Sequence, residues 1–441
     1  MWIIMVKFAS HVRPHWGRVW IMYHKTVLNN GVRLITEQLD HLCSVSLGIW
    51  VDAGSRDEAK SENGISHFIE HMVFKGTRNR SSLQIAKELD AIGGLSNAFT
   101  GKENTCFYAR VLAKHFTVLS DILSDIFLHS TFDSDDMAHE RQVILQEINM
   151  MEDSPDDNIH VLFNRSFWAD HPVGLSILGT EKTVSTINKE KILRYINRYY
   201  MPERILVVAA GDIDHQLMVS LFKPIFESLN GGNSNPERSI PRPNGGIHIN
   251  YKDLEQVHIC LGGEASSQVS DKRYSCGIFN TILGGNMSSR LFQEIREKRG
   301  LAYSVYSFFS TYIDAGLLGV YVATDLRNVN PALETIQAEI RKICNGDLSK
   351  SDLAAAKEHL IGNIYLSSES SDSRMMRTAK NEFIFRRYVD YEELVSDLEK
   401  VTADEVVEAA CTTFRDGEVS LVTLGPLREE DFDRQGVMVY A

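Results

Sequence analysis

Several things that would place this chain quickly are missing from it. No uninterrupted apolar run approaches the ~18 residues that a membrane-crossing helix needs, because Lys, Arg or Asp interrupts even the richest stretches. That argues against a membrane span. Positive charge is in short supply: 46 Lys and Arg against 59 Asp and Glu leave a formal charge of −13. Nucleic acid is therefore not expected as a partner, since a phosphate backbone demands basic patches, and acidic walls favour basic ligands instead. There is no C-x-x-C pair. Cys43, Cys106, Cys260, Cys276, Cys344 and Cys411 lie far apart, which argues against a thiolate zinc site and a disulfide framework. They read as reduced thiols, and a cytoplasmic location is expected.

Acids are absent before Glu37, whereas Lys7, Arg13, Arg18, Lys25 and Arg33 precede it. A basic, acid-poor start can be a targeting segment, but the apolar opening Met1 to Val6 is shorter than a secretory core and no small-residue cleavage site follows. Fold-like patterning is expected only from Met22 onward, which makes residues 1–21 dispensable on this reading.

What is present is a globular composition, with 43% apolar and 24% charged residues over 441 positions, enough for two to four units. The two halves resemble each other. A helical pattern from Ser82 to Gly94 leads into Asn97–Thr100 and an apolar strand, Cys106 to Val111; later, Arg290 to Gly300 leads into Tyr303–Phe309 and a second apolar strand, Leu317 to Val322. Both read helix, glycine turn, strand, strand. The helix opening at Ser134 ends in Ser154-Pro155-Asp156-Asp157, and the one opening at Lys350 ends near Ser370-Ser371-Asp372-Ser373. Between the copies, Asn230 to Gly246 is rich in Gly, Pro and Asn and reads as a linker. The expected division is a domain at 22–229, a linker at 230–246 and a second domain at 247–441. Alternation of Val45, Leu47, Ile49 and Val51 predicts a strand, and Asn30-Gly31 predicts a hairpin before it. A helix is predicted from about Glu62 to Phe74, ended by Gly76. The fold class is α+β, built from two homologous α+β domains.

Inside that helix stands His67-Phe68-Ile69-Glu70-His71. Residues four apart share one helical face, so both imidazoles can reach one ion, and Glu70 overhangs the open coordination position. The H-x-x-E-H order is the inverzincin arrangement: two His ligands, room for a third ligand and a water, and a carboxylate base. A solvated amphipathic helix is the plainer alternative, but Ile65, Phe68, Ile69, Met72, Val73 and Phe74 surround the polar residues, and polar groups among apolar ones call for a partner. A third ligand should be an acid on another element. Glu140 and Glu147, seven apart, share a helical face with Val143 and Ile144, and spacing does not choose between them.

His67 to Gly76, Gly93 to Asn97, Glu140 to Glu147 and Gly284 to Tyr303 together resemble the pitrilysin-type zinc metallopeptidases, among them the β subunit of mitochondrial processing peptidase and its bacterial relatives. The resemblance covers most of the chain from about Met22. It implies one zinc per chain on His67, His71 and Glu147, with Glu70 as base and Glu140 supporting the site. It also implies a hinged two-bowl chamber in which Arg296 and Tyr303 reach substrate and the tetrahedral intermediate, and an edge strand, Asn97, Ala98 and Phe99, that pairs with the substrate backbone. In the second half the positions of His67, Glu70 and His71 fall on Cys276, Phe279 and Asn280, so that copy is expected to hold no metal. Where the presequence-cleaving relative carries two acids after its glutamate ligand, this chain has Asp157 and Val161. One acid remains for substrate binding, and a strict preference for arginine-bearing presequences is not expected. The implied activity is hydrolysis of unfolded or short peptides, by a homodimer or in a pair with a related subunit. The alternative is a non-catalytic peptide-binding or scaffold subunit of the same family.

Overall fold

The computed structural model describes residues 4–5, 22–169, 171–231, 237–415 and 417–432. They form two compact units. The first holds the described residues up to Asn149, with Ser176–Arg238 and Leu366–Asp390; the second holds Met150–Leu175, Ser239–Tyr365 and those from Tyr391 onward.

The first unit is built on seven strands: β1 (Ile4–Met5), β2 (Met22–Val27), β3 (Arg33–Gln38), β4 (Ser44–Val51), β5 (Leu95–Thr100), β6 (Thr105–Leu112) and β7 (Ile205–Gly211). They lie in the order β1-β2-β3-β7-β4-β6-β5. Asn30-Gly31 makes the turn between β2 and β3, with Gly31 at φ +98°, a backbone state that favours glycine. The β1 strand pairs with His24 and Lys25, so ordered pairing begins ahead of Met22; residues 6–21 fall outside the described ones.

The second unit has five strands: β8 (Gly246–Tyr251), β9 (Val257–Ala265), β10 (Ala302–Thr311), β11 (Gly316–Thr324) and β12 (Ser420–Gly425), in the order β10-β11-β9-β12-β8. Reversed, this order is β8-β12-β9-β11-β10, the same path that β3-β7-β4-β6-β5 takes in the first sheet. In each sheet the first and last strands of the series pair in parallel, β3 with β7 and β8 with β12, and the other pairings are antiparallel. Identical mixed topology in both halves is the structural form of the sequence repeat.

Two helices group against chain order, and they are the corresponding ones. Helix Pro155–Phe167, with Ser154 at its N-cap and Pro155 at its first position, packs in the second unit: Ile159, Phe163 and Phe167 bury against Leu317, Tyr321, Val422 and Leu424. Helix Ser371–Phe385, capped by Ser370, packs in the first: Met375 and Ala379 bury against Ile35, Trp50, Leu206 and Val208. Polar groups accompany the second contact, with buried Glu37 accepting from Arg374 and Thr378 at 2.5 and 2.8 Å and Glu382 pairing with Lys25 and Arg33. Each helix presents an apolar stripe that needs a sheet face, and each finds it in the unit opposite to its neighbours in sequence.

Residues Arg290–Gly300, whose composition suits an ordinary helix, instead form a π-helical segment, Phe292–Glu297, in which Lys298 N–H reaches back five residues to Gln293 at 2.9 Å. Within the wider turn Ile295 is fully buried while its neighbours stay partly open. No helix among the described residues is long and apolar enough to cross a membrane.

Candidate metal centre

The motif helix spans Ile65–Val73, and Gly64 enters it with a left-handed backbone at φ +95°. Its apolar face, Ile65, Phe68, Ile69, Met72 and Val73, is buried with Ile144 and Ile148 of the helix Ser134–Asp153. That packing brings His67 and His71 to the side on which the second helix presents Glu140 and Glu147. Glu140, Ile144, Glu147 and Ile148 follow i, i+4, i+7, i+8 spacing, so the aliphatic pair docks the helix while the two acids face the imidazoles.

His67 Nε2 and His71 Nε2 lie 3.6 and 3.5 Å from Glu147 Oε2. These separations are long for hydrogen bonds, yet close to the about 3.3 Å expected between neighbouring ligands of a tetrahedral zinc with bonds of about 2.05 Å. His67, His71 and Glu147 are the one group among the described residues able to hold a metal ion. His67 is held neutral, its pKa lowered to about 4 by burial and then by the neighbouring His71, which is the protonation state a ligand needs. His71 is oriented from behind: its Nδ1 lies 3.0 Å from Glu140 Oε2, and Lys75 Nζ grips the other oxygen of Glu140 at 2.6 Å. Burial would raise the Glu140 carboxyl, but hydrogen bonds from Lys75 and His71 outweigh it and hold it below the usual range. A carboxylate behind a histidine fixes the tautomer and leaves Nε2 free for a metal. On these grounds the residues fit zinc.

Glu70 is half-buried beside the pair. Burial raises its carboxyl, a hydrogen bond from Thr100 and the field of His71 lower it, Glu147 raises it again, and the net direction is upward. Glu58, buried at 3% exposure, anchors the entrance to the helix: its carboxylate accepts from Gly64 N–H at 2.7 Å, Ser66 N–H at 2.8 Å and Asn63 Nδ2 at 2.9 Å. In the second unit, Cys276, Phe279 and Asn280 sit in helix Arg273–Leu283, with Cys276 and Phe279 buried.

Residues 33–181 match the family model described as Insulinase (Peptidase family M16), and residues 186–360 match the model described as Peptidase M16 inactive domain. A Bacillus subtilis protein named as the uncharacterized zinc protease YmxG is 37% identical over 405 residues, 92% of this chain and 98% of that one. A Rickettsia felis protein named as an uncharacterized zinc protease is 38% identical over 400 residues, 90% and 96% of the two chains. This chain belongs to the M16, or pitrilysin, peptidase family. The M16 fold itself is seen in the crystal structure of a protease from Helicobacter pylori, with a TM-score of 0.85 at 20% identity over 92% of this chain and 100% of that one. A Pseudomonas fluorescens structure described as a peptidase M16 inactive domain gives 0.86 at 18% identity, over 92% and 98%.

The other residues singled out by the M16 resemblance fall as follows. Asn97, Ala98 and Phe99 lie in β5, which ends the first sheet, with Asn97 exposed and the other two half-buried. Arg296 and Tyr303 are together in the second unit: the guanidinium stands 4.2 Å from the centroid of the Tyr303 ring and 4.8 Å from that of Phe292. Tyr303 is 77% exposed and takes no part in the core. Asp157 sits in the first turn of helix Pro155–Phe167 and accepts from Ser154 Oγ at 2.7 Å. Sequence reasoning does not find Thr100, Lys75 or Glu58. Thr100 and Lys75 stand 30 and 65 positions from their carboxylates, and no local pattern announces contacts at such distances.

Proposed function

We propose that this M16 chain is a zinc-dependent endopeptidase or oligopeptidase acting on unfolded or short peptides. The observation that carries the reading is the convergence of His67 Nε2 and His71 Nε2 on Glu147 Oε2, with the Glu70 carboxylate alongside. When bound, zinc supplies Lewis acidity toward a peptide carbonyl and makes water acidic enough to lose a proton near neutrality. Glu70 accepts the proton of the attacking water and returns it to the amine nitrogen as the C–N bond breaks. Its raised pKa suits a group that must both take and give that proton. Glu140 and Lys75 keep the His71 ring oriented throughout.

Among the described residues β5 has no strand on its outer side, so an extended peptide can add there, a binding mode that makes small demands on sequence. Arg296 and Tyr303 are assigned to substrate binding and to stabilising the developing oxyanion; their support is the exposure of Tyr303 and the stacking that fixes the pair. The proposed division keeps residues 22–229 as the metal-bearing copy, 230–246 as the linker and 247–441 as the metal-free copy. A scaffold role is disfavoured because a scaffold has no need of a carboxylate at position 70. The deciding experiment is peptide-library cleavage by zinc-loaded protein and by its Glu70→Gln variant. Zinc content should be equal and most hydrolysis lost in the variant, since an amide cannot accept the proton; equal rates would remove Glu70 as base.

A further inference from the structure

Among the described residues, the side chain that hydrogen-bonds the proposed base Glu70 stands on the strand proposed to receive substrate. Thr100, the last residue of β5, donates from Oγ1 to Glu70 Oε2 at 2.5 Å. A glutamate has three side-chain torsions, and one oxygen must present a lone pair to water, so a base left to itself samples many unproductive orientations. Threonine is the opposite kind of group, stiff at χ1 through branching at Cβ.

The backbone that carries Thr100 is fixed as well. Thr100 is paired with Thr105 across a tight turn closed by Gly101 N–H to Asn104 at 2.7 Å. The turn is clamped from the segment before the motif helix: Ser55 and Arg56 N–H donate to Gly101 and Lys102 carbonyls at 3.1 and 2.8 Å, and the buried Arg56 guanidinium pairs with Glu103 at 2.6 Å. Arg238 adds a hydrogen bond to the Glu103 carbonyl at 2.7 Å. The hydroxyl is thus a rigid donor, and it occupies Oε2 so that Oε1 is left for water. The plain alternative is a strand-end hydroxyl that has merely found the nearest acceptor.

Resting on the peptidase reading above, we propose that Thr100 is a positioning residue of the catalytic machinery: its hydroxyl fixes the Glu70 carboxylate in the orientation that accepts the water proton. No covalent step is involved. Removing the hydroxyl while keeping the shape leaves Oε2 without its donor and the carboxylate free to turn.

The test uses the full zinc-loaded chain with Thr100→Val and Thr100→Ser, a fluorogenic peptide, zinc analysis and crystal structures. Thr100→Val should lower kcat about ten- to a hundredfold with KM and zinc content within about twofold, as expected for loss of a hydrogen bond to a charged group. Thr100→Ser, which keeps the donor, should recover most of the loss. In a Glu70→Gln background Thr100→Val should add little, and the crystal structure of Thr100→Val should show the Glu70 carboxylate turned away from its wild-type position. A wild-type rate in Thr100→Val, equal damage from Ser and Val, or an undiminished effect in the Glu70→Gln background would overturn the proposal. Should the wild type cleave no peptide at all, the peptidase reading fails, and the crystal structures still decide the positioning role: an unmoved Glu70 in Thr100→Val sinks it.

Discussion

Nδ1 of His71 lies 3.0 Å from Oε2 of Glu140, and the other oxygen of that carboxylate is 2.6 Å from Lys75 Nζ. A chain Lys75–Glu140–His71 therefore runs from the end of the motif helix through the neighbouring helix and back to a proposed metal ligand. Its effect is to hold one tautomer of His71, whereas Nδ1 of His67 is buried without a hydrogen-bond partner among the described residues. The two histidines are unequal in their support. Glu140→Gln should weaken zinc binding about ten- to a hundredfold, measured by chelator competition, because the amide orients the ring less strongly. An unchanged zinc Kd would show that His71 needs no such support.

Metal stoichiometry gives a second expectation. His67, His71 and Glu147 are the one metal-capable group among the described residues, so reconstituted protein should bind one zinc per chain by elemental analysis. Glu147→Gln should lose most of it, because the remaining pair of imidazoles lacks the anionic ligand. Two ions per chain, or full zinc retention in Glu147→Gln, would contradict the assignment.

The Arg296–Tyr303 pair should matter for turnover and little for stability. Tyr303 is largely exposed and Arg296 is partly so, and neither fills a core. Arg296→Ala and Tyr303→Phe should each reduce kcat/KM, by about 100- to 1,000-fold if the Tyr303 hydroxyl donates to the oxyanion. Thermal midpoint and zinc content are the controls, and both should stay near wild type. Silent substitutions at both positions would leave the pair without a catalytic role.

Acid sensitivity has a buried source away from the metal centre. His215 is 5% exposed, its ring nitrogens lying 2.8 Å from Thr26 Oγ1 and 2.9 Å from Thr36 Oγ1. Burial, then the stacked His24, lowers its pKa to about 4, with Asp214 opposing. The unfolded chain binds this proton near pH 6.5 and the folded chain does not. His215 thus favours the fold fully above pH 6.5, and that contribution is lost as pH falls toward 4. Urea midpoints of metal-free protein should fall across this window, and His215→Gln should fall less steeply. Parallel pH profiles for the two proteins would exclude His215 as a source.

Much of the site is legible in the amino-acid sequence. Two histidines four apart on a helix must share a face, and a carboxylate between them must lie near the same ion. Glu147 is less legible, because Glu140 lies on the same face and seven-residue spacing serves either; family resemblance chooses it. The packing explains the choice, since Ile144 and Ile148 set the helix height at which Glu147 meets both Nε2 atoms and Glu140 meets Nδ1 from behind. The strands of both copies are legible from alternation and apolar runs. The composition of Arg290–Gly300 suits a regular helix, and nothing local in it announces the π turn at Phe292–Glu297.

From the sequence alone came the duplicated α+β plan, the metal motif on one copy and its loss from the other. These are local or repeated patterns, and periodicity of 3.6 or 2 residues is enough to express them. Only the tertiary structure decided that helices Pro155–Phe167 and Ser371–Phe385 each pack in the unit opposite to their chain neighbours, and that Thr100 rather than any nearer residue holds Glu70. Such choices turn on which sheet face remains open to an apolar stripe and on which donor a strand end carries to a buried carboxylate. Both are set by contacts between residues tens to hundreds of positions apart, where no local pattern reaches.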